Sequence, residues 1–372
     1  MKNTYPDYYH RFSCVADACE ATCCAGWQIV VDEESLKNYA KVNSDFSERI
    51  KTGVDFEEGV FLQKEKKRCA FLNEKNLCDM YTVLGEGALC ETCTRYPRHI
   101  EEFENVREHT LSVSCPEVAR ILLGLKEPVR FLSEETPAEE EIFDDFDPML
   151  YEVLAEAREK MLGVLQDRTM SIGERAAILW IFITEFQEKM DEGMLYVDDL
   201  YAVCEDPGKR EEVRAKLTEF YSDKETVFVT AKTQFSKLFA LEILAEEWEE
   251  ERNRADRMLY QNGAEHYAEI KEEYDDWCKV HMPERETMAE QLIVYFLFTY
   301  FCGAVYDEYV ASKVKLSVLS VFYIDEMLTA QWILQEKQIT HHDIVRVVYR
   351  FSRELEHSDE NLCAMDRLME EL

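Results

Sequence analysis

Residues 14–27 read CVADACEATCCAGW, and this stretch decides how the N-terminal part of the chain folds. Cys14, Cys19, Cys23 and Cys24 fall within eleven positions of it. A metal ion needs several thiolates at about 2.3 Å, and loops of about two to four residues bring two of them together at little entropic cost. The stretch therefore predicts a metal or iron–sulfur centre.

Five further cysteines continue the pattern downstream. Cys69 and Cys78 are separated by eight residues, Cys90 and Cys93 by two, and Cys115 follows. Only four of the 13 cysteines lie in the remaining 257 residues, each isolated, and there we interpret them as small buried apolar side chains.

The cellular setting argues against a disulfide framework. The opening residues, MKNTYPDYYHRF, lack the apolar core of a secretory signal, so we expect a cytoplasmic protein, where thiols stay reduced. Zinc would form one or two tetrahedral sites, whereas an iron–sulfur cluster would take four thiolates. The cysteine pattern is compatible with either metal centre. His10, His99 and His109 lie in the same region and are not counted as ligands, because a lone histidine is more often a surface or hydrogen-bonded residue.

Charge divides the chain into three parts. Residues 1–132 carry a net charge of −5, and the other 240 residues carry −30 of the total of −35. Residues 133–147 hold eight acidic residues and no Lys or Arg, which is typical of an exposed linker. We therefore predict a mainly α protein: a small Cys-rich metal- or iron–sulfur-binding domain with irregular loops at 1–132, an acidic linker at 133–147, and an acidic all-helical domain at 148–372.

Helix signals recur throughout the third part. They are a start at Pro148 with apolar periodicity to Leu165, a capping box of Ser171 and Glu174, an N-cap and first position at Asp206-Pro207, periodic segments at 226–257, 264–280, 284–309 and 314–335, and caps at Thr340 and Ser358.

Composition also excludes several functions. The net charge of −35 argues against a nucleic-acid partner, since phosphates need clustered Lys and Arg. The longest uncharged apolar stretch, 291–306, is shorter than the roughly 20 residues that span a bilayer, so we predict a core helix and no membrane. No G-x-G-x-x-G or P-loop motif occurs. An acidic surface fits a Lys-rich protein partner better.

Motifs at both ends of the chain resemble one known family. They are Tyr9-x2-Phe12-x-Cys14, Cys19-x3-Cys23-Cys24-x-Gly26-Trp27, Cys69-x-Phe71-Leu72, Leu77-Cys78, Leu84-Gly85, Thr92-Cys93-x-Arg95-Tyr96-Pro97-Arg98, Leu111-Ser112-x-Ser114-Cys115-Pro116-Glu117 and, near the end, YRFSRELEH at residues 349–357. Together they are similar to the flagellin lysine-N-methylase (FliB-like) family, which carries the cysteine-rich zinc- or iron-chelating cluster domain.

This resemblance implies an S-adenosylmethionine-dependent protein lysine N-methyltransferase that acts on surface lysines of flagellin, with a [4Fe-4S] cluster, or alternatively zinc, on its cysteines. The implied ligands are Cys14, Cys19, Cys23, Cys24, Cys69, Cys78, Cys93 and Cys115. Cys90 is an additional cysteine that can substitute for Cys93. Because Cys24 follows Cys23 directly, the Cys-x3-Cys-x2-Cys spacing of radical S-adenosylmethionine enzymes is absent, and we do not expect their mechanism.

Four residues are candidates for the catalytic site. Tyr96 and Arg98 follow Cys93, and Arg353 and His357 share one helix face at i and i+4. An arginine can hold the carboxylate of the methyl donor, and a nearby tyrosine, histidine or carboxylate can accept the proton that a lysine must lose.

Each candidate has a structural alternative. Tyr96 and Arg98 also fit a turn against the metal loop, and Arg353 and His357 an ordinary ion-pair face. For the whole protein, the alternative is a non-catalytic metal- or iron–sulfur-binding adaptor or a redox-sensing protein.

Overall fold

The computed structural model describes residues 1–195 and 200–371, and most of them are helical. The strands are β1 (Lys2–Pro6), β2 (Val54–Asp55), β3 (Val60–Phe61), β4 (Gln63–Lys64), β5 (Arg68–Cys69), β6 (Arg98–Phe103), β7 (Val106–Leu111) and β8 (Phe131–Glu135). The helices among them are α1 (Glu33–Tyr39), α2 (Ser47–Lys51), α3 (Asp79–Leu84), α4 (Glu91–Arg95) and α5 (Pro116–Leu123).

From residue 148 onward, the described chain contains helices and no strand, so the predicted all-α body is confirmed there. The helices are α6 (Pro148–Leu165), α7 (Ile172–Asp191), α8 (Ala202–Glu205), α9 (Pro207–Ser222), α10 (Lys224–Ser236), α11 (Glu246–Tyr260), α12 (Gly263–His281), α13 (Arg285–Tyr300), α14 (Val310–Leu334), α15 (His341–Glu356) and α16 (Asp359–Glu370). The long helix α14 packs against α7, α13 and α16 at the centre of this body.

Side-chain caps explain where these helices begin. Asp147 accepts hydrogen bonds from the second and third backbone amides of α6, with Pro148 at the first position. Ser171 and Thr340 form capping boxes at α7 and α15, and Asp206 and Ser358 cap α9 and α16. The predicted helix starts are therefore confirmed.

One predicted helix, over residues 226–257, is wrong. The α-helix ends at Ser236, a 3-10 turn follows over Lys237–Ala240, and α11 starts only at Glu246. The side chain of Glu354 accepts hydrogen bonds from the backbone amides of Leu244 and Ala245, at 2.8 and 2.9 Å, and holds this segment extended. The break contains no Gly or Pro, so only a contact with a distant helix marks it.

A four-stranded sheet in the order β6-β7-β1-β8 replaces part of the irregular loops predicted for the N-terminal region. Strand β1 runs parallel to β7 and antiparallel to β8. The sequence did not predict this sheet, because strand β1 pairs with residues more than 100 positions away. Strand β8 also includes residues 133–135, the first three of the predicted linker.

Two hydrophobic cores divide the molecule. The smaller one lies within residues 29–90 and includes Phe71 and Cys90. The larger one joins Tyr8, Phe103 and α5 to the helices beyond residue 148. The division into domains at 1–132, 133–147 and 148–372 stays a prediction. Because the larger core contains residues from both sides of the predicted linker, an unfolding experiment can test whether the two parts unfold separately.

The apolar stretch near residue 300 is a core helix. Residues Arg285–Val305 have the length and composition of a membrane span, but 78% of the apolar window is buried inside the fold. Every residue from Glu290 to Thr299 is buried.

Candidate active site

A cavity of about 560 Å³ lies between the sheet and the helical body. Pockets that bind small molecules typically measure about 300–1,000 Å³. Three of the four catalytic candidates, Tyr96, Arg98 and His357, line this cavity, although His357 lies about 260 residues from the other two in sequence. The remaining lining residues are Trp27, Thr92, Arg95, Pro97, His99, Glu101, Ser112, Tyr295, Thr299, Tyr300, Gly303, Tyr306, Lys313, Leu316, Glu356, Asp359, Leu362 and Asp366.

Ser114, which follows β7, connects the two ends of the chain. Its hydroxyl lies 3.0 Å from the Tyr96 hydroxyl and 2.9 Å from His357 Nε2. The Trp27 ring lies over the His357 ring, with centroids 4.6 Å apart. Burial, with a smaller contribution from the Arg353 charge, lowers the pKa of His357 to about 3. His357 is therefore a neutral hydrogen-bonding group at ordinary pH.

Arg353 has a different surrounding from the other candidates. The residues that line the cavity in the described chain do not include it. Its Nε donates to the Ser114 carbonyl at 2.9 Å, and a terminal nitrogen donates to the Ala21 carbonyl at 2.5 Å. Arg353 thus joins α15 to two N-terminal segments. Of the two candidate arginines, only Arg98 lines the cavity, and its guanidinium stacks over Phe12, 5.3 Å from the ring centre.

A carboxylate that sequence reasoning gave no role forms part of the cavity wall. Glu356 accepts hydrogen bonds from Tyr295 at 2.5 Å, Tyr300 at 2.8 Å and Ser112 at 2.9 Å, and from Ser352. In the described residues, no Lys, Arg or His nitrogen pairs with this carboxylate. Four hydroxyl donors therefore fix a negative charge in place without neutralising it.

The sequence indicated some of the cavity residues that were not predicted, but not others. Ser112 and Glu356 lie inside motifs that carry the family resemblance, so those motifs pointed to them. Tyr295 and Tyr300 lie in the apolar stretch of α13, where a tyrosine is expected to be a core residue. Burial raises the pKa of both tyrosines, and the Glu356 charge raises it further, so both stay neutral.

The cysteines of the N-terminal region come close to one another. Burial raises the pKa of Cys69 and Cys78, and the charge of the Cys24 sulfur raises it further. The pKa of Cys93 is raised by a hydrogen bond with Cys90 and by burial, and the Cys24 charge adds to this effect. A hydrogen bond from the Cys23 thiol lowers the pKa of Cys24 to about 7. Cys24 thus has the lowered pKa that favours a thiolate ligand.

The same segments are held together by backbone contacts. The Cys69 amide donates to the Cys24 carbonyl at 2.8 Å, and the Trp27 indole donates to the Cys23 carbonyl at 2.7 Å. Cys14 and Cys115 lie near Cys23, because their charges add to the hydrogen bond with Cys24 and to burial in raising the pKa of Cys23. Cys19 lies near Cys14, whose charge adds to burial in raising the pKa of Cys19.

The donor set fits a thiophilic metal in its chemistry, since soft sulfur groups from separate segments surround Cys24. Among the described residues, no group of three or more Cys, His, Asp or Glu side chains has the arrangement of a formed metal site. The predicted ligand set therefore stays a prediction.

Comparison with known proteins gives two kinds of similarity. The family of the FliB lysine N-methylase C-terminal domain matches residues 158–372. The chain is 31% identical over 141 residues to a lysine-N-methylase of Salmonella typhimurium, a match that covers 36% of this chain and 35% of that protein. It is 32% identical over 130 residues to the flagellar biosynthetic protein FliU of Salmonella muenchen, which covers 32% of this chain and 76% of that protein.

The matched region thus spans about a third of the length of the lysine-N-methylases. No solved structure matches the chain significantly.

Proposed function

Because the chain belongs to the FliB lysine N-methylase family, we propose that it transfers methyl groups from S-adenosylmethionine to surface lysines of flagellin in the cytoplasm. The proposal is supported most by one observation: motif residues Tyr96 and Arg98, and His357 from the other end of the chain, line a single cavity. Relatives named lysine-N-methylase and flagellar biosynthetic protein support the substrate class.

The cavity offers what a methyl transfer to an amine requires. The reacting atoms must be held in line and shielded from water, and the ammonium must lose a proton. Trp27, Tyr96 and Tyr300 supply aromatic walls that attract a cation, and Glu356 supplies a fixed negative charge. Arg98 is the proposed partner of the donor carboxylate.

We propose that Cys14, Cys19, Cys23, Cys24, Cys69, Cys78, Cys93 and Cys115, with Cys90 as a substitute for Cys93, provide the ligands of a [4Fe-4S] cluster or of zinc. When bound, such a centre would supply a cross-link that fixes the loops carrying Trp27 and Tyr96. The residues of the cavity wall would do the binding and orientation of donor and lysine.

Methyl transfer tests the function directly. Protein purified without oxygen is incubated with S-adenosylmethionine and flagellin, and modified lysines are counted by mass spectrometry. Arg98→Gln should raise the apparent KM for the donor, because it removes the proposed carboxylate partner. Arg130→Gln, at an arginine whose side chain is 81% exposed, serves as the matched control. Unmodified lysines with the wild-type chain would refute the methylase and favour the adaptor.

Metal content tests the centre separately. We expect iron and sulfide, or zinc, in anaerobic wild-type protein, with an iron–sulfur absorption band in the first case. Cys24→Ser should lower the bound metal, whereas Cys363→Ser, at an exposed and isolated cysteine, should not. Equal metal content in both variants would contradict the proposed ligand set.

A further inference from the structure

The cavity contains a second histidine, His99, which sequence reasoning set aside. It lies on β6, and its Nε2 is 2.7 Å from the Glu101 carboxylate two residues along the same strand. Both residues line the cavity together with Tyr300 and Glu356. Because a carboxylate only accepts hydrogen bonds, Nε2 carries the proton and Nδ1 has the free lone pair. Nδ1 has no hydrogen-bond partner among the residues that the structure describes.

Five other groups in the cavity are poor proton acceptors. His357 is bonded to Ser114, and burial lowers its pKa to about 3. The hydroxyls of Tyr295 and Tyr300 already donate to Glu356, whose four acceptor sites are filled by four hydroxyls. Lys313 is protonated between Asp366 and Asp307, at 2.6 and 2.8 Å.

The charges around His99 favour its role as a base. Burial lowers the pKa of His99, but the hydrogen bond and charge of Glu101 on its own strand, and the charge of Glu356 on α15, outweigh burial and raise it. The facing strand β7 places the uncharged Thr110 in register with His99, and the 3-10 turn after α13 contributes Tyr306, which burial keeps neutral.

We infer that His99, held by Glu101, is the base that takes the proton from a lysine ammonium entering this cavity. The inference rests on the proposed function. An N–H bond of the ammonium breaks as an N–H bond forms at His99 Nδ1, which leaves a neutral amine. The amine lone pair then forms a C–N bond to the methyl group of the sulfonium donor. The C–S bond breaks with its electron pair on sulfur, giving a thioether and a methylammonium.

In this scheme His99 is a catalytic residue and Glu101 a positioning residue. A base works only when it is unprotonated, so kcat/KM should rise with pH through the pKa of His99. His99→Gln should lower the rate at neutral pH by about 10²–10⁴-fold, the usual contribution of a general base, and remove this acidic limb. The rate should recover at high pH, where solvent deprotonates the lysine.

Two further variants separate catalysis from structure. Glu101→Gln removes the charge that raises the pKa of His99, so the acidic limb should move to lower pH, which a purely structural defect would not cause. His341→Gln, at an exposed histidine on the first turn of α15, is the control and should keep the wild-type profile. A His99→Gln protein with the wild-type rate and acidic limb would overturn the inference.

Nuclear magnetic resonance gives a readout that does not depend on turnover. The His99 ring signals should titrate above the ordinary value of about 6.5, should titrate lower in Glu101→Gln, and should shift when N-acetyl-lysine amide is added. A wild-type protein that transfers no methyl group would refute the proposed function. The lysine-induced shift would then decide the inference alone, and signals unmoved by the lysine probe would overturn it.

Discussion

Replacing Glu108 by Gln should destabilise the protein strongly. Glu108 on β7 and Arg158 on α6 form an ion pair whose side chains are 4% and 8% exposed, with one contact of 2.6 Å. Tyr151 also donates to Glu108, at 3.2 Å, and the Arg158 guanidinium stacks over Phe298. The amide would turn an N–H donor toward the guanidinium and leave a buried charge unpaired.

The expected loss follows from that burial. Breaking a buried ion pair by removing one partner costs about 3–5 kcal/mol, out of the roughly 5–15 kcal/mol that a folded domain has. With a urea m-value of about 3 kcal/mol per molar, the unfolding midpoint should fall by about 1–1.7 M. Since the pair joins the sheet to the helical body, fluorescence and circular dichroism should report the same shift.

The matched control is Glu33→Gln. Glu33 pairs with Lys37 at 3.0 Å on the surface, where the two side chains are 88% and 66% exposed. Exposed pairs at i and i+4 contribute about 0.3–0.5 kcal/mol, so the midpoint should barely move. Equal shifts for Glu108→Gln and Glu33→Gln would refute the claim that the buried pair holds the two parts together.

Two other predictions concern packing and pH. Gly53→Ala should lower the free energy of unfolding, measured by urea titration, by about 1–3 kcal/mol. The reason is that the new Cβ would lie 2.7 Å from the fully buried Phe71 ring. Gly87→Ala is the control and should have little effect, because the space around Gly87 is open. In the folded chain the pKa of His357 is lowered from 6.5 to about 3. Between these two pH values the unfolded chain therefore binds a proton that the folded chain does not bind. His357 thus makes the free energy of unfolding fall as the pH drops from 6.5 to 3. His357→Gln should flatten the stability profile between pH 6.5 and 3, and an unchanged slope would contradict the burial of a neutral imidazole.

Local signals predicted the helical body well. Asp147 with Pro148, Ser171 with Glu174, and Thr340 mark helix starts through contacts within one turn, which a sequence displays directly. The sheet and the break before α11 depend on partners far along the chain, such as Glu354 for the amides of Leu244 and Ala245. No local pattern encodes such contacts.

The candidate site was predictable only in part. The motifs named Tyr96, Arg98 and His357, and the cavity brings these three together. The motifs did not show that His357 lines the cavity and Arg353, four residues earlier, does not. The guanidinium of Arg353 donates to backbone carbonyls instead. The histidine left aside, His99, has its partner Glu101 only because both side chains point the same way from one strand.

The parallel pairing of β1 with β7 sets an order of assembly during synthesis. Lys2 pairs with Val106 and with Glu135, so the first strand waits for partners made more than 100 residues later. At about 5–20 residues per second, a ribosome needs roughly 5–30 s to supply them. The cysteine-bearing core of residues 29–90 is complete before then. The segments of this core can thus pack together while the first strand is still an unpaired edge.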